Sequence, residues 1–255
     1  MLVFVARNTT LEDFGLFSFA FALGIFATKF AIFGQNQMMM REIATTPAEE
    51  TSKRQSLAFT GYRMALLGAS VVGLALAIGG WLAERHEIIE TVVFVAALAF
   101  SELQTSILRA HGSVTNAIAI REVVWRILLI GSVILAGAAF GKMNATEVMV
   151  LATALLAICT LLQAASHSAT RFWAWGTSAR SVFDRTWLTS SSRFLAISIV
   201  TAGTPALSTI IVGALQPIEQ VGPFFAALKV AQLLSLVQIA TNVVGAPLLA
   251  RYYKE

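Results

Sequence analysis

The chain is poor in cysteine, histidine and charge, and each shortage excludes something. Cys159 is its single cysteine, so no internal disulfide forms, and neither CxxC nor Cys/His metal spacing is present. Cys159 lies in an apolar run and reads as a small buried hydrophobe. The three histidines, His86, His111 and His167, fall in different connections, which argues against a shared metal site. P-loop, HExxH and GxSxG patterns are missing, which removes the usual routes to ATP hydrolysis, zinc proteolysis and serine acyl transfer. No catalytic residue and no cofactor is expected. The acidic groups Glu49-Glu50 and Glu84, Glu87 and Glu90 read as solvated helix ends. The start, Met1 to Ala6, is a short apolar stub with no basic stretch before it, unlike a cleavable signal peptide.

Charged residues make up 13% of the 255 positions, against roughly a quarter in soluble domains. Mean hydropathy is +0.75. The apolar residues come in blocks of about 20, the length that crosses a bilayer as a helix. The fold class is therefore all-α, a polytopic transmembrane helical bundle. After the stub, counted as span one, full segments are expected at 14–34, 57–83, 88–108, 117–140, 146–166, 193–214 and 221–249.

The basic residues sort by connection. One alternate set holds Arg41, Lys53, Arg54, Arg63, Arg109, Arg121, Arg126, Arg171, Arg180, Arg185, Arg193, Arg251 and Lys254. The other holds only Arg7, Arg85 and Lys142. By the positive-inside rule the richer set is cytoplasmic. The pI of 9.6 thus reflects loops beside membrane spans, and no nucleic-acid partner is implied. The longest connection, 167–192, is rich in Trp and Arg (Arg171, Phe172, Trp173, Trp175, Trp187) and suits an amphipathic interfacial linker. It divides the chain into an N-terminal lobe, 1–166, a cytoplasmic linker, 167–192, and the start of a second lobe, 193–255.

Three short motifs carry a family resemblance. Leu11-Glu12-Asp13-Phe14-Gly15-Leu16-Phe17 opens span two, which exits through Gly34 and Arg41-Glu42-Ile43-Ala44. Leu108-Arg109-Ala110-His111-Gly112 forms a turn after span four. Val221-Gly222-Pro223-Phe224-Phe225-Ala226-Ala227-Leu228-Lys229 opens span eight, with Asn242 and Pro247 beyond it. Together these resemble the bacterial polysaccharide flippases, the O-antigen and exopolysaccharide exporters of the MOP superfamily. The resemblance implies a MOP/MATE-like fold of two lobes with alternating access, and a cation at position 229. Members have twelve or more spans, so the chain is expected to be a truncated form that lacks most of span one and everything after span eight.

Two cations lie inside apolar runs, Lys29 and Lys229. Neither has an acid within reach on its own helix, and a lone cation in hydrocarbon faces a partner, a wet cavity or a substrate. Lys29 shares a face with Ser18; it is either a cavity cation or a snorkelling lysine, and its distance from Arg41 disfavours snorkelling. Lys229 stands near Gln232, Ser235, Gln238 and Asn242, though off the centre of that polar stripe. Lys29, Lys229, Gln232 and Asn242 are the candidate substrate contacts. Ser198, Thr201, Pro205, Ser208 and Thr209 share one face of span seven, which suits helix packing better than ligand contact. Gly203 and Pro205 are a candidate hinge. Glu102 is read first as a structural partner of Arg109, seven residues on along the same face, and second as a site of cation or proton coupling.

The expected function is flipping of an undecaprenyl-pyrophosphate-linked oligosaccharide across the bacterial inner membrane for surface polysaccharide synthesis, with the bilayer and a polysaccharide polymerase as partners. A MATE-like multidrug exporter is the first rival, but it would favour intramembrane carboxylates. An integral-membrane glycosyltransferase or polymerase would want acidic catalytic groups and a large outer loop. A non-transporting membrane fragment is the third. The orientation is checked by reporter fusions. Alkaline phosphatase joined within 111–113 should stay inactive, and joined at 141–144 it should be active; the reverse pattern would overturn the assignment.

Overall fold

A computed structural model describes residues 1–171 and 185–233, and among them every regular element is a helix. The helices are α1 (Leu2–Asn8), α2 (Leu11–Ile32), α3 (Gln35–Thr45), α4 (Thr51–Leu82), α5 (His86–Ala110), α6 (Val114–Ile118), α7 (Trp125–Phe140), α8 (Ala145–Ser166), α9 (Arg185–Ser198) and α10 (Thr204–Leu215). A further helix, α11, covers 218–233. A π-helical turn, Ala119–Val124, joins α6 to α7, and another, Ile199–Gly203, joins α9 to α10.

Five stretches are long and apolar enough to cross a membrane: Leu11–Ile32, Thr51–Leu82, Ile88–Ala110, Val114–Phe140 and Ala145–Ser166. The pair Trp187–Thr201 and Thr204–Leu215, bent by 60°, makes a sixth if taken as one span. Such a set marks a membrane-embedded helical protein. The segment expected at 221–249 starts within α11, and the rest of it, with Asn242 and Pro247, lies outside the described residues. So do Phe172, Trp173 and Trp175 of the expected linker.

The helices differ in burial in a way that places them. In α2 and α5, 72% of the most apolar stretch is buried. In α4 the share is 22%, and in the helix 114–140 it is 17%. Leu66, Val71, Leu74 and Ile78 of α4 and Ile127, Leu135 and Phe140 of α7 point outward. Helices that are apolar all round yet exposed at their neighbours' expense face hydrocarbon rather than water. α2 and α5 are the axis, with α4 and α8 on either side and α10 and α11 closing on α2.

Local chemistry sets the ends. Thr10 caps α2, its hydroxyl accepting from Asp13 N at 3.1 Å. The Asp13 carboxylate also accepts from Ala145 N at the start of α8 (3.1 Å), where a negative charge favours the helix N-terminus. Asn144 and Glu147 form a capping box on α8. α2 stops because Phe33 and Gly34 turn left-handed, at φ 51° and 72°. The expected exit from span two is thus a separate helix, α3. Its Gln35 is fully buried and links Ser191 Oγ (3.0 Å) and Trp187 Nε1 (2.9 Å) of α9. Trp187, assigned to an interfacial linker from the sequence, is 6% exposed and belongs to the core with Met39 and Ile43. The neighbouring Gln35 explains this, since it satisfies the indole N–H inside the protein.

Gly34 is needed twice over, for its left-handed backbone and because a Cβ there would run into the Ser191 carbonyl. Gly34→Ala should destabilise the fold by about 2–4 kcal/mol, from backbone strain plus overpacking. Gly131→Ala, where a Cβ meets nothing within 4 Å, should change stability by less than about 1 kcal/mol. Thermal unfolding in detergent, read by a thiol-reactive dye on buried Cys159, separates the two.

Candidate functional site

The deepest charges form one cluster. Lys29 Nζ donates to both oxygens of Glu102, at 2.7 and 2.9 Å. Arg121 Nη2 donates to Glu102 Oε1 at 3.1 Å. The Lys29 and Glu102 side chains are 9% and 8% exposed, and Arg121 is 23% exposed. Each member comes from a different span. Lys29 sits in the last turn of α2, where a cation is favoured by the helix dipole. Glu102 lies eight residues before the end of α5, about 12 Å in at 1.5 Å per residue. Arg121 is carried by the π turn between α6 and α7.

That cluster corrects two expectations. Lys29 neither snorkels nor stands alone in a cavity, because it sits three residues before the end of α2 and an acid from another helix meets it. Glu102 does not pair with Arg109, which is exposed at the end of α5. Sequence reading missed Arg121 as a site residue. It lies within the span rather than in a loop, and the π turn is what turns it inward. The frame around it is hydrogen-bonded. Trp125 Nε1 donates to Ala152 O (3.0 Å), Gln104 Nε2 to Gln163 Oε1 (2.9 Å) and Gln163 Nε2 to Asn116 O (2.7 Å), tying α5, α6, α7 and α8 together.

Lys229 is different. Its ammonium is partly buried on α11, 5.1 Å over the Phe225 ring, and donates to Gln232 Oε1 at 3.1 Å. No carboxylate pairs with it among the described residues. Arg126 is close enough to act on it electrostatically, and Arg126 is itself held by Glu122 at 2.6 Å. Of the other candidates, Gln232 is brought to Lys229, Asn242 lies outside the described residues, and Ser18, on the face expected for Lys29, is fully buried with no hydrogen-bond partner.

Beside the candidate hinge residues Gly203 and Pro205, a 60° break falls between Thr201 and Thr204, at the end of the π turn. Proline supplies no N–H and crowds the carbonyl four residues back, and the π turn absorbs the mismatch. The span-seven hydroxyls mostly bond their own backbone, Thr201 to Ile197 O (2.8 Å) and Ser208 to Thr204 O (3.1 Å). They are not aimed at a ligand. No group of three metal-ligating side chains occurs among the described residues.

No family model, no curated protein and no solved structure matches the chain.

Two buried charges and a half-buried one set a clear test. Glu102→Ala strands Lys29 and leaves Arg121 with its longer pair to Glu122 (3.7 Å), and should cost about 3–5 kcal/mol. The double change Lys29→Met with Glu102→Leu removes the buried pair and leaves Arg121 to reach solvent. It should recover most of that loss. Equal destabilisation of the single and double variants in thermal unfolding would show that the pairing is not what stabilises this region.

Proposed function

We propose that the protein is a membrane transporter that moves an anionic, lipid-linked oligosaccharide, of the undecaprenyl-pyrophosphate type, across a bacterial inner membrane. The observation that carries this is Lys229, a partly buried ammonium on an apolar helix, seated on an aromatic ring beside an amide and a second cation, with no acid among the described residues to neutralise it. Burying a cation in this way is costly unless an anion visits. A diphosphate head group cannot cross hydrocarbon unaided, and cations in a wet vestibule replace its water while the polyprenyl tail stays in lipid. Release requires moderate attraction, and one available ammonium near Arg126 suits that better than a dense basic cluster would.

The motif at 221–229 supports the same reading, because the resemblance implies a cation at this position. The bent helix supports it too, as a place where α10 and α11 can rock against α2. Lys29 now has a different part: with Glu102 and Arg121 it holds the inner ends of the first lobe's spans. The paired state of Glu102 disfavours the multidrug exporter, since the carboxylate a cationic drug would need is already engaged by two bases. In this proposal the basic connections are cytoplasmic, surface polysaccharide synthesis is the process served, and a polysaccharide polymerase is the natural acceptor of the product.

Complementation of a flippase-null strain by the gene carrying this frame tests it. Lys229→Ala should lower surface polysaccharide by about 10–100-fold, the loss of one charge-assisted hydrogen bond. Lys229→Arg should retain most of it. Unchanged polysaccharide in Lys229→Ala, at matched protein level, would remove the substrate site.

A further inference from the structure

A second set of basic groups, Arg54 and His111, gathers around a cleft that Lys229 does not line. Here the start of α4, the end of α5 and the chain after α8 enclose a cleft of about 190 Å³. Thr51, Arg54, Gln55, His111 and Ser168 line it, with two alanines and no acidic residue. The two spans that end beside it, Ile88–Ala110 and Ala145–Ser166, place it at the level where a bilayer's hydrocarbon gives way to head groups.

The side chains are set for a ligand. Arg54 donates from Nε (3.0 Å) and Nη2 (2.6 Å) to the Thr46 carbonyl. That double bond fixes the guanidinium and leaves its Nη1 hydrogens uncommitted by it. His111 Nδ1 donates to the Ile107 carbonyl at 2.9 Å, since a carbonyl can only accept; Nε2 is then the ring's remaining polar atom. His167, close enough to act on His111, keeps Nε2 on Ser113 Oγ (2.8 Å) and has a buried Nδ1 with no hydrogen-bond partner. Burial lowers the His111 pKa below its ordinary value, and the charge of Arg54 and His167 lowers it further, against the raising effect of the Ile107 carbonyl. Among the described residues that line the cleft, Arg54 supplies a fixed positive charge and no carboxylate is present.

We infer that this cleft is a binding site for a phosphate group, held by the Arg54 guanidinium and the Gln55 amide, with Thr51, His111 and Ser168 around it. Its size speaks for a head group rather than a larger molecule, because pockets for drug-sized ligands begin at roughly 300 Å³. Arginine's fork suits phosphate oxygens. The phosphate belongs either to a lipid at the membrane surface or to a free ion, and the chemistry of the contact is the same. The site is independent of Lys229 and of the transport proposal.

The test is thermal unfolding of the full chain in non-ionic detergent, read through Cys159. In one arm inorganic phosphate is compared with chloride at matched ionic strength. In the other, phosphatidic acid in the micelle is compared with phosphatidylcholine. At least one arm should raise Tm by about 2–4 °C. A rise with inorganic phosphate alone identifies a free ion as the occupant, and a rise with phosphatidic acid, a lipid. Arg54→Gln should abolish the rise. Because Arg54 also holds the Thr46 carbonyl, Gln55→Glu is the deciding variant: it keeps the shape, places a carboxylate in the cleft and should abolish the rise as well. No rise in either arm, or a rise that survives Gln55→Glu, overturns the site.

Discussion

One carboxylate shared between two cations organises the packing of α2, α5 and the helix that follows α6. Glu102 accepts from Lys29 at 2.7 and 2.9 Å and from Arg121 at 3.1 Å. In a medium of low polarity each of these charges alone would be prohibitive, and together they are tolerable only in this geometry. That requirement propagates outward. Lys29 reaches α5 from the last turn of α2, which Phe33 and Gly34 close by turning left-handed. The helix after α5 must bring Arg121 inward, so it enters through a π turn instead of a regular one. The glutamine and tryptophan bonds among α5, α6, α7 and α8 then hold that turn in place.

The same contrast divides the cations by task. Lys29 and Arg121 are already matched by an acid, so a passing anion would have to compete with Glu102 for them. Arg126 is matched by Glu122. Among the described residues Lys229 has a neutral amide and a ring face, which stabilise a cation without satisfying its charge. A transport reading is therefore better founded on Lys229 than on a pair of equivalent lysines. It also makes the net charge offered to a substrate small, which favours turnover over tight binding.

The spans were legible because hydropathy is a one-dimensional property of the chain. The runs at 57–83, 88–108, 117–140 and 146–166 reappear as helices whose ends differ by a few residues. The bend was legible for a similar reason, since Gly203 and Pro205 act on their own turn of backbone. Partner choice was not. Lys29 and Glu102 are separated by 73 residues, and nothing local in either helix announces the other. The periodicity that aligned Glu102 with Arg109 was correct as geometry on one helix, but a buried acid two spans deep binds what neighbouring helices bring to it. Arg121 was hidden differently: it was counted among loop charges because it lies near the start of a span. Its inward turn depends on a π turn that hydropathy does not register. Trp187 shows the converse, a tryptophan suited to an interface but drawn inside by one buried glutamine, Gln35.

For the proposed transport cycle these contacts say which parts can move. α2, α5, α6, α7 and α8 are tied by ion pairs and interhelical hydrogen bonds, whose rupture inside a membrane leaves polar groups unsatisfied. α10 and α11 meet α2 through glycines instead. Gly213 lies against Phe19, Gly222 against Phe14, and Gly15 against the Ile218 carbonyl. Such contacts are close but non-directional, and sliding them exchanges one set of dispersion contacts for another. The 60° break at Gly203 and Pro205 sits at the head of that group. Among the described residues, Lys229 is carried on the side held by packing, while the paired charges sit on the side held by polar bonds. A cation placed there changes its surroundings as α11 shifts, and that is what alternating exposure of an anion-binding group requires.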